Sequence, residues 1–356
     1  MRRKPPRILV ILDDVGPGDA LRSKFVLTSI RAAQPDARIT LLVSEAAAEV
    51  FEPENECDTL IVSRIYRSGL RGRWRNRLHK AREMLRALRA VGLGHDQVLI
   101  LNWGSSALDV LARLAGRQVI GYDNRAEFVL SRSLGTYDVE GDPVAQNRAL
   151  LSVAGIRETP LSATAPVESG DPQNPLTRSY AVLHTGSDWA CQQWSQDRWA
   201  RLADRIIDEL GLDVVFTGLR EEAAYVTAIQ GMMRRPSASL AGQTALPELQ
   251  RLISRAVLCV TVDSSPYELA QLTATPTIVL AGPTSARPQV RRNFQPVVVN
   301  CTSPSVGSVI RACQRTHSDG HCHDYTCPLS QLRRIEVDEV MQQVTALRRE
   351  PVTAPA

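Results

Sequence analysis

A glycine-rich turn near the N-terminus carries the first residues whose types and spacing could do chemistry. Gly16, Pro17, Gly18 and Asp19 follow an apolar run and precede a helix-forming stretch. Glycine lets the backbone approach a ligand closely, and a helix N-terminus attracts anions. A dinucleotide-binding fingerprint would need glycine or alanine where Leu21 stands, which disfavours a nicotinamide cofactor. The Asp19 carboxylate could reach into a ligand site or could simply cap the helix.

A second polar turn, from Asp263 to Pro266, follows another apolar run and opens another helix-forming stretch. Pro266 suits the first helical position, where its missing N–H costs nothing. The free amides and hydroxyls of Ser264 and Ser265 can then face a diphosphate at the start of that helix. An ordinary Asp/Ser helix cap would explain the same residues equally well.

Alternating strands and helices must position both turns. Continuous apolar runs such as RILVIL indicate strands that are buried on both faces. The predicted strands are Arg7–Leu12, Arg38–Val43, Thr59–Val62, Gln97–Leu101, Gln118–Gly121, Tyr180–His184, Asp213–Gly218, Val257–Val262 and Thr277–Ala281. The predicted helices are Ala20–Ala33, Asn76–Val91, Ser105–Ala115, Pro143–Ala154, Gln196–Leu210 and Val337–Arg348. Such alternation predicts parallel sheets with right-handed crossovers, which bind ligands at the carboxyl ends of their strands.

The length of the chain and a proline-rich break predict two domains. A single hydrophobic core seldom grows beyond about 300 residues, and the chain has 356 residues. Residues 159–179 are polar, aperiodic and rich in proline. We therefore predict an α/β fold of two Rossmann-like, doubly wound domains that face a central cleft. The predicted parts are residues 1–165, a linker over 166–179, residues 180–335 and a C-terminal helix within 336–356.

Composition and charge exclude several classes of protein. The formal net charge of +4 is too small to indicate a nucleic-acid-binding protein. No apolar stretch approaches the ~20 residues needed to cross a bilayer. The apolar run behind the basic N-terminus ends at Asp13, too early for a signal peptide. Seven cysteines, an odd number, favour a reducing compartment. We therefore expect a cytoplasmic globular protein that binds no nucleic acid.

Several segments resemble glycosyltransferase family 9, the lipopolysaccharide heptosyltransferases and their relatives. Gly18 and Asp19 match the Gly-Asp pair of the family's opening segment. AVLHTGSDWACQQW, LAGQTALPELQRLISRAVLCVTVDSSPYELAQLTATPTIVLAGPT and CPLSQLRRIEVDEVMQQV resemble its phosphate-contacting, donor-binding and C-terminal segments. The resemblance implies a GT-B fold and an inverting, metal-independent transfer from a nucleotide-sugar, typically ADP-heptose, without a cofactor. It also implies that the C-terminal helix packs back on the N-terminal domain.

The same resemblance implies roles for individual residues. Asp19 falls at the position of the family's proposed general base, in an acceptor-binding N-terminal domain that also carries Gly18. In the donor-binding domain, Thr244 would lie beside the nucleobase and Glu221 or Glu222 would reach the ribose. The residues implied around the donor phosphates are Thr185, Ser187, Gln192, Asp263, Ser264, Ser265, Pro266 and Glu268.

Three residues near the implied phosphate site depart from the family's pattern. Gln192 stands where the family usually has lysine, and glutamine donates hydrogen bonds without bringing a positive charge. Ser265 replaces a glycine, and Glu268 replaces a histidine and so adds a negative charge. Either another cation compensates, or donor binding is weakened or altered. A nucleotide-sugar-binding protein that has lost transferase activity is therefore the alternative function.

An arginine-rich segment, residues 64–89, holds nine arginines. By the resemblance, this region would approach an anionic acceptor or a membrane surface. The acceptor would be a glycan, a glycolipid or a small molecule, and its candidate ligands are Arg64, Arg67, Arg71 and Arg73. A solvated helix face with its leucines turned inward would explain the segment equally well.

Six cysteine and histidine residues lie between Cys313 and Cys327. Nitrogen and sulfur donors at this density can build a tetrahedral zinc site. No standard ligand spacing is met, so we predict no metal there and expect reduced thiols in a surface loop.

Overall fold

The computed structural model describes residues 4–13, 15–51, 56–64, 73–101, 106–123, 130–138, 142–159, 161, 178–186, 193–273, 275–281, 297–300 and 331–349. These residues form two compact units. The first ends at Leu161, and the second contains the described residues from Arg178 onward. Each unit is built around a parallel sheet of its own.

The first unit contains six parallel strands. They are β1 (Arg7–Leu12), β2 (Arg38–Ser44), β3 (Thr59–Ser63), β4 (His95–Ile100), β5 (Gly116–Asp123) and β6 (Arg132–Thr136). Their order in the sheet is β3-β2-β1-β4-β5-β6. Residues 8–11 of the central strand β1 are fully buried, as an uninterrupted apolar run requires of a strand covered on both faces. The strand order reverses between β1 and β4, and doubly wound sheets bind ligands outside the carboxyl ends at such a point.

The described helices of the first unit are α1 (Pro17–Ala33), α2 (Arg73–Val91), α3 (Ser106–Ala115) and α4 (Pro143–Val153). Two of them begin with proline, whose missing N–H has no partner to lose in the first turn. The cap of α1 is Gly16. The cap of α4 is Asp142, whose Oδ1 accepts from the Val144 N–H at 2.7 Å. Among the described helices of the whole chain, none has the length and apolarity of a membrane span.

The second unit repeats this plan. Its strands are β7 (Tyr180–His184), β8 (Asp213–Thr217), β9 (Ala238–Ser239), β10 (Leu258–Val262), β11 (Thr277–Ala281) and β12 (Val297–Asn300). Their order is β12-β11-β10-β7-β8-β9, so the strand order reverses between β7 and β10. The described helices are α5 (Gln196–Leu210), α6 (Ala223–Met232), α7 (Leu246–Arg255), α8 (Ser265–Gln271) and α9 (Val337–Arg349).

The predicted α/β fold with two doubly wound domains is confirmed. Every predicted strand is present, but the sequence did not reveal β6, β9 and β12. Each of these lies at the edge of its sheet. An edge strand needs less burial than a central one, and β6 is mostly exposed while β9 has only two residues. Neither carries the continuous apolar run by which central strands are recognised.

The C-terminal helix α9 packs in the second unit. Its apolar residues Val337, Val340, Met341 and Val344 are buried in the hydrophobic core of the second unit. The indole N–H of Trp194 donates to the Ile335 carbonyl at 3.0 Å, just before the helix. Helix α9 thus contributes to the core of the second unit, and its expected contact with the N-terminal domain stays a prediction. The sequence pattern predicts an apolar face, but it does not identify the surface that covers this face.

Candidate functional site

Asp19 lies in the first turn of α1, beyond the carboxyl end of β1. It is the third residue of the helix. The cap is Gly16, so the interpretation of Asp19 as the helix cap is not supported. The Asp19 Oδ1 accepts a hydrogen bond from Arg22 Nη2 one turn later. The Asp19 side chain is 46% exposed and that of Arg22 only 10%. An oriented carboxylate thus remains open to solvent at the carboxyl edge of the first sheet, where doubly wound folds bind ligands.

Hydrogen bonds from Ser23, and through Ser23 from α4, fix the backbone at Asp19. Ser23 Oγ donates to the Asp19 carbonyl at 2.9 Å. The Asn147 side-chain amide, from α4, donates to the same Ser23 hydroxyl at 3.3 Å. Ser23 and Asn147 are both buried. These contacts fix the start of α1, and with it the position of the carboxylate.

Tyr137, which the sequence does not predict as a site residue, is affected by the charge of this carboxylate and packs against Tyr122. Burial raises the pKa of the Tyr137 phenol, and the charge of Asp19 raises it further. The Tyr137 ring meets the Tyr122 ring edge to face, with centroids 5.3 Å apart. The Tyr122 hydroxyl donates to the Gln146 carbonyl of α4 at 2.8 Å. No spacing rule marks a tyrosine in a loop, so only the fold brings Tyr137 to Asp19.

Further carboxylates lie along the same edge. Asp13 directly follows β1, is 1% exposed and accepts from Ser63 Oγ at 2.9 Å. Asp109 lies in the first turn of α3 and is 6% exposed. Burial, and then the charge of Asp123 at the end of β5, raise the pKa of Asp109 from 3.8 to about 6. The Asp13–Asp14 pair after an apolar run was visible in the sequence, whereas the pairing of Asp109 with Asp123 needs the fold.

We expect Asp109→Asn to change how stability depends on pH. The folded state prefers protonated Asp109, so this group makes the free energy of unfolding fall as pH rises from about 4 to about 6. The variant should be more stable than the wild type at pH 7.5, by about 3 kcal/mol at most. Below about pH 4 the advantage should disappear. Denaturant unfolding at several pH values measures this difference.

The wild type must be measured beside the variant at each pH. Burial lowers the pKa of His184 from 6.5 to about 4, so this histidine contributes the opposite slope over nearly the same interval. Wild-type and Asp109→Asn curves that run parallel from pH 4 to 7.5 would show that Asp109 ionises normally.

The predicted acceptor-binding arginines are only partly described. Arg64 Nη2 contacts Glu45 Oε1 at 3.2 Å, and both side chains are more than half exposed. Arg73 begins α2, where only its backbone is described, and Arg67 and Arg71 lie outside the described residues. Of the predicted acceptor set, the structure brings Gly18 together with Asp19, as neighbours in the first turn of α1.

The second unit presents two buried polar side chains at the carboxyl edge of its sheet. Thr185 follows β7 and is 0% exposed, and Asp263 follows the adjacent β10 and is 3% exposed. The Thr185 hydroxyl is buried with no hydrogen-bond partner among the described residues. Ser264 caps α8, with Ser265 first in the helix. Pro266 is the second helical residue, one position later than predicted.

Glu222 and Thr244 lie in neighbouring turns beyond β8 and β9. Glu222 is 4% exposed, and its Oε2 accepts from the Leu219 N–H at 2.7 Å. Glu221 is exposed, so of the two candidate glutamates only Glu222 is built into the fold. Thr244 is half-buried. The Gly242 N–H donates to the Gly218 carbonyl at 2.8 Å, which ties the two turns together.

Glu268, which replaces the family's usual histidine, is buried. It is 2% exposed, and its Oε2 accepts from the side-chain amide of Gln271 at 2.7 Å. The Glu268 carboxyl group thus accepts a hydrogen bond from a side chain of its own helix. Ser187 and Gln192 lie outside the described residues, as do the six cysteines and histidines of 313–327. Within the described ranges, no group of three metal-ligating side chains could hold a metal ion.

Comparisons with known proteins agree with this arrangement. The profile of glycosyltransferase family 9 (heptosyltransferase) matches residues 84–314. Lipopolysaccharide heptosyltransferase 3 of Escherichia coli strain K12 is 25% identical over 289 residues, covering 75% of this chain and 80% of that protein. A family 9 glycosyltransferase structure from Veillonella parvula has a TM-score of 0.75 at 20% identity, covering 99% of both chains. That of Escherichia coli ADP-heptose lipopolysaccharide heptosyltransferase II has a TM-score of 0.70 at 19% identity, covering 97% of this chain and 100% of that one.

Proposed function

The chain belongs to glycosyltransferase family 9, and from that premise we propose that it transfers heptose from ADP-heptose to an acceptor hydroxyl. The observation that carries the proposal is the half-exposed Asp19 carboxylate, oriented by Arg22 at the ligand-binding edge of the first sheet. The name of one similar structure includes ADP-heptose, which supports this donor. The first unit would bind the acceptor and the second unit the donor.

In the proposed reaction Asp19 acts as the general base. It accepts the proton of the acceptor hydroxyl while the hydroxyl oxygen attacks the anomeric carbon of the donor. The bond from that carbon to the diphosphate breaks, ADP leaves with the electron pair, and the anomeric configuration inverts. A positioned base of this kind contributes about 10²–10⁴-fold to the rate. The Arg22 ion pair orients the carboxylate and leaves nearly half of it accessible.

The departing diphosphate needs hydrogen-bond donors in fixed positions. The buried Thr185 hydroxyl, with no partner among the described residues, is one such donor. The Ser264 and Ser265 groups at the start of α8 are others. We propose that these groups, with Asp263 and Pro266 in the same turn and with Ser187, Gln192 and Glu268, form the phosphate side of the donor site. Glu222 would bind the ribose, and Thr244 would lie beside the base.

A nucleotide-sugar-binding protein without transferase activity is the second candidate. Glutamine at position 192 brings no charge to the leaving group, and Glu268 adds a buried carboxylate to α8. Both residues would weaken stabilisation of the diphosphate as it departs. Binding of the donor would then survive while transfer would not.

The two candidates differ in product formation. The purified chain is incubated with ADP-heptose and a lipopolysaccharide core acceptor that lacks the heptose, and ADP and the glycosylated product are measured by mass spectrometry. We expect product in amounts equal to ADP, and the same rate with a metal chelator present, because the proposed reaction needs no metal. Donor binding without product would support the second candidate, and the absence of both would contradict both.

We also propose that the acceptor is a glycolipid at the cytoplasmic face of a membrane. Leu85 of α2 and Leu114 of α3 are 47% and 55% exposed. Arg89 and Arg113 on the same helices are exposed as well, and the two helices pack together. Exposed leucines among arginines suit an anionic lipid surface. If these helices contact such a surface, the chain should sediment with phosphatidylglycerol vesicles and the double variant Leu85→Ser, Leu114→Ser should not. Equal sedimentation would contradict the membrane contact on which the glycolipid proposal rests.

A further inference from the structure

The Glu222 carboxylate occupies the space that a side chain on Gly186 would fill. A Cβ on Gly186 would lie 2.0 Å from each carboxylate oxygen and 2.1 Å from the carboxyl carbon. These separations are far below any van der Waals contact. Gly186 comes two residues after the end of β7, and Glu222 reaches it from the turn that follows β8. The two residues therefore interlock across 36 positions of the sequence.

A second glycine, Gly218, also leaves room for Glu222, and we call the space beside Gly186 and Gly218 the notch. A Cβ on Gly218, directly after β8, would lie 2.8 Å from Glu222 Oε2 and 3.3 Å from the Glu222 Cβ. Strands β7 and β8 are neighbours, with His184 paired to Thr217, so both glycines lie at the same edge of the sheet. Neither has a positive φ. The requirement for glycine at these positions is thus one of space and not of backbone conformation.

The turn that carries Glu222 cannot easily move away from Gly186, because main chain packs behind it. Gly242 packs behind it so closely that a Cβ there would lie 2.7 Å from the Arg220 Cα. Gly242 itself has a φ of 70°, and its N–H donates to the Gly218 carbonyl at 2.8 Å. The Leu219 N–H holds the carboxylate from the same side. A methyl group on Gly186 would therefore push the carboxylate out of its place, because the turn behind it is backed by packed main chain.

We propose that Gly186 is a positioning residue for the donor nucleotide. Its missing side chain admits the Glu222 carboxylate to the edge of the second sheet, where the two oxygens can accept hydrogen bonds from the hydroxyls of a ribose. This inference rests on the proposed function. It adds that the site selects a ribonucleoside diphosphate over its 2′-deoxy counterpart. This selection depends on the absence of a side chain at Gly186 as much as on the Glu222 carboxylate.

The test is a double-mutant cycle of Gly186→Ala and Glu222→Ala, read by calorimetric titration with ADP and with 2′-deoxy-ADP. We expect the wild type to prefer ADP by about tenfold, as hydrogen bonds to a charged acceptor are lost with the 2′-hydroxyl. Each single variant should lose this preference. Gly186→Ala should weaken ADP binding by about tenfold in the wild-type background and by less than about twofold in the Glu222→Ala background. The control is Gly231→Ala in α6, where an added Cβ meets nothing within 4 Å.

Melting temperatures test the interlock without any nucleotide. Gly186→Ala should lower the melting temperature of the wild-type background, or prevent folding, and should do neither in the Glu222→Ala background. If Gly186→Ala retains wild-type affinity, nucleotide preference and melting temperature, the proposal is overturned. It is also overturned if Gly186→Ala is equally harmful in both backgrounds. A wild type that binds no ADP would contradict the proposed function, while the melting temperatures would still decide whether Gly186 holds Glu222 in place.

Discussion

Asp19→Asn should lower kcat for transfer by about 10²–10⁴-fold, which is the contribution of a positioned general base. The amide keeps the shape of the side chain but cannot accept the proton of the acceptor hydroxyl. The affinity for the donor nucleotide should stay within about twofold of the wild type, because the groups proposed to hold the nucleotide belong to the second unit. Initial rates at saturating donor and acceptor, with a separate titration of ADP, measure the two quantities.

The matched control is Asp36→Asn. Asp36 follows the same helix α1 but is exposed in the turn before β2, so the same chemical change there should leave kcat unchanged. Asp19→Asn also removes the ion pair between Asp19 and the buried Arg22, so the melting temperature of the variant must be recorded. A folded Asp19→Asn variant with wild-type kcat would remove Asp19 from the chemistry.

Val340→Asp should destabilise the second unit by about 4 kcal/mol or more, because it places a carboxylate where no solvent reaches. Val340 is 0% exposed and packs within the same core as Trp194 and Trp199. The two indole rings meet edge to face with centroids 5.1 Å apart, so tryptophan fluorescence should report the loss of this core. Denaturant unfolding measures the change in the free energy of unfolding.

Gln342→Asp is the control for this substitution. It introduces the same carboxylate two residues later on the exposed face of α9, where the free energy of unfolding should change by less than about 0.5 kcal/mol. Equal stability of Val340→Asp and Gln342→Asp would contradict the burial of Val340 in the core of the second unit.

The elements that carry the site were predictable because their signals are local. Residues 8–11 and 181–183 form apolar runs that the structure buries completely. Helix α5 begins after Ser195 and ends just before Gly211, which has the left-handed φ of 65° that favours glycine after a helix. Turns at the carboxyl ends of such strands are expected ligand sites. The sequence alone therefore predicts Asp19 and the Asp263–Pro266 turn as candidate site residues.

The contacts that shape the site were not predictable, since they join residues far apart in the sequence. The sequence left Glu221 and Glu222 as alternatives, and the fold distinguishes them by burying Glu222 against Gly186 and Gly218. The pairing of Arg22 with Asp19 has helical spacing, but the burial of Arg22 depends on how its neighbours pack. The charge of Asp19 raises the pKa of Tyr137, although no sequence pattern relates these two residues. Long-range packing thus determines which glutamate is buried and how far Arg22 is exposed, and local sequence patterns do not.

Direct titration of the wild-type chain with ADP-heptose tests the central claim most closely. A ligand that binds the folded state also raises its stability by mass action, so calorimetry and thermal shift should agree. We predict saturable binding at one site per chain, displaced by ADP. No binding of ADP-heptose, together with no response to other ADP-, UDP-, GDP- or dTDP-sugars, would contradict the assignment of the second unit as a nucleotide-sugar site.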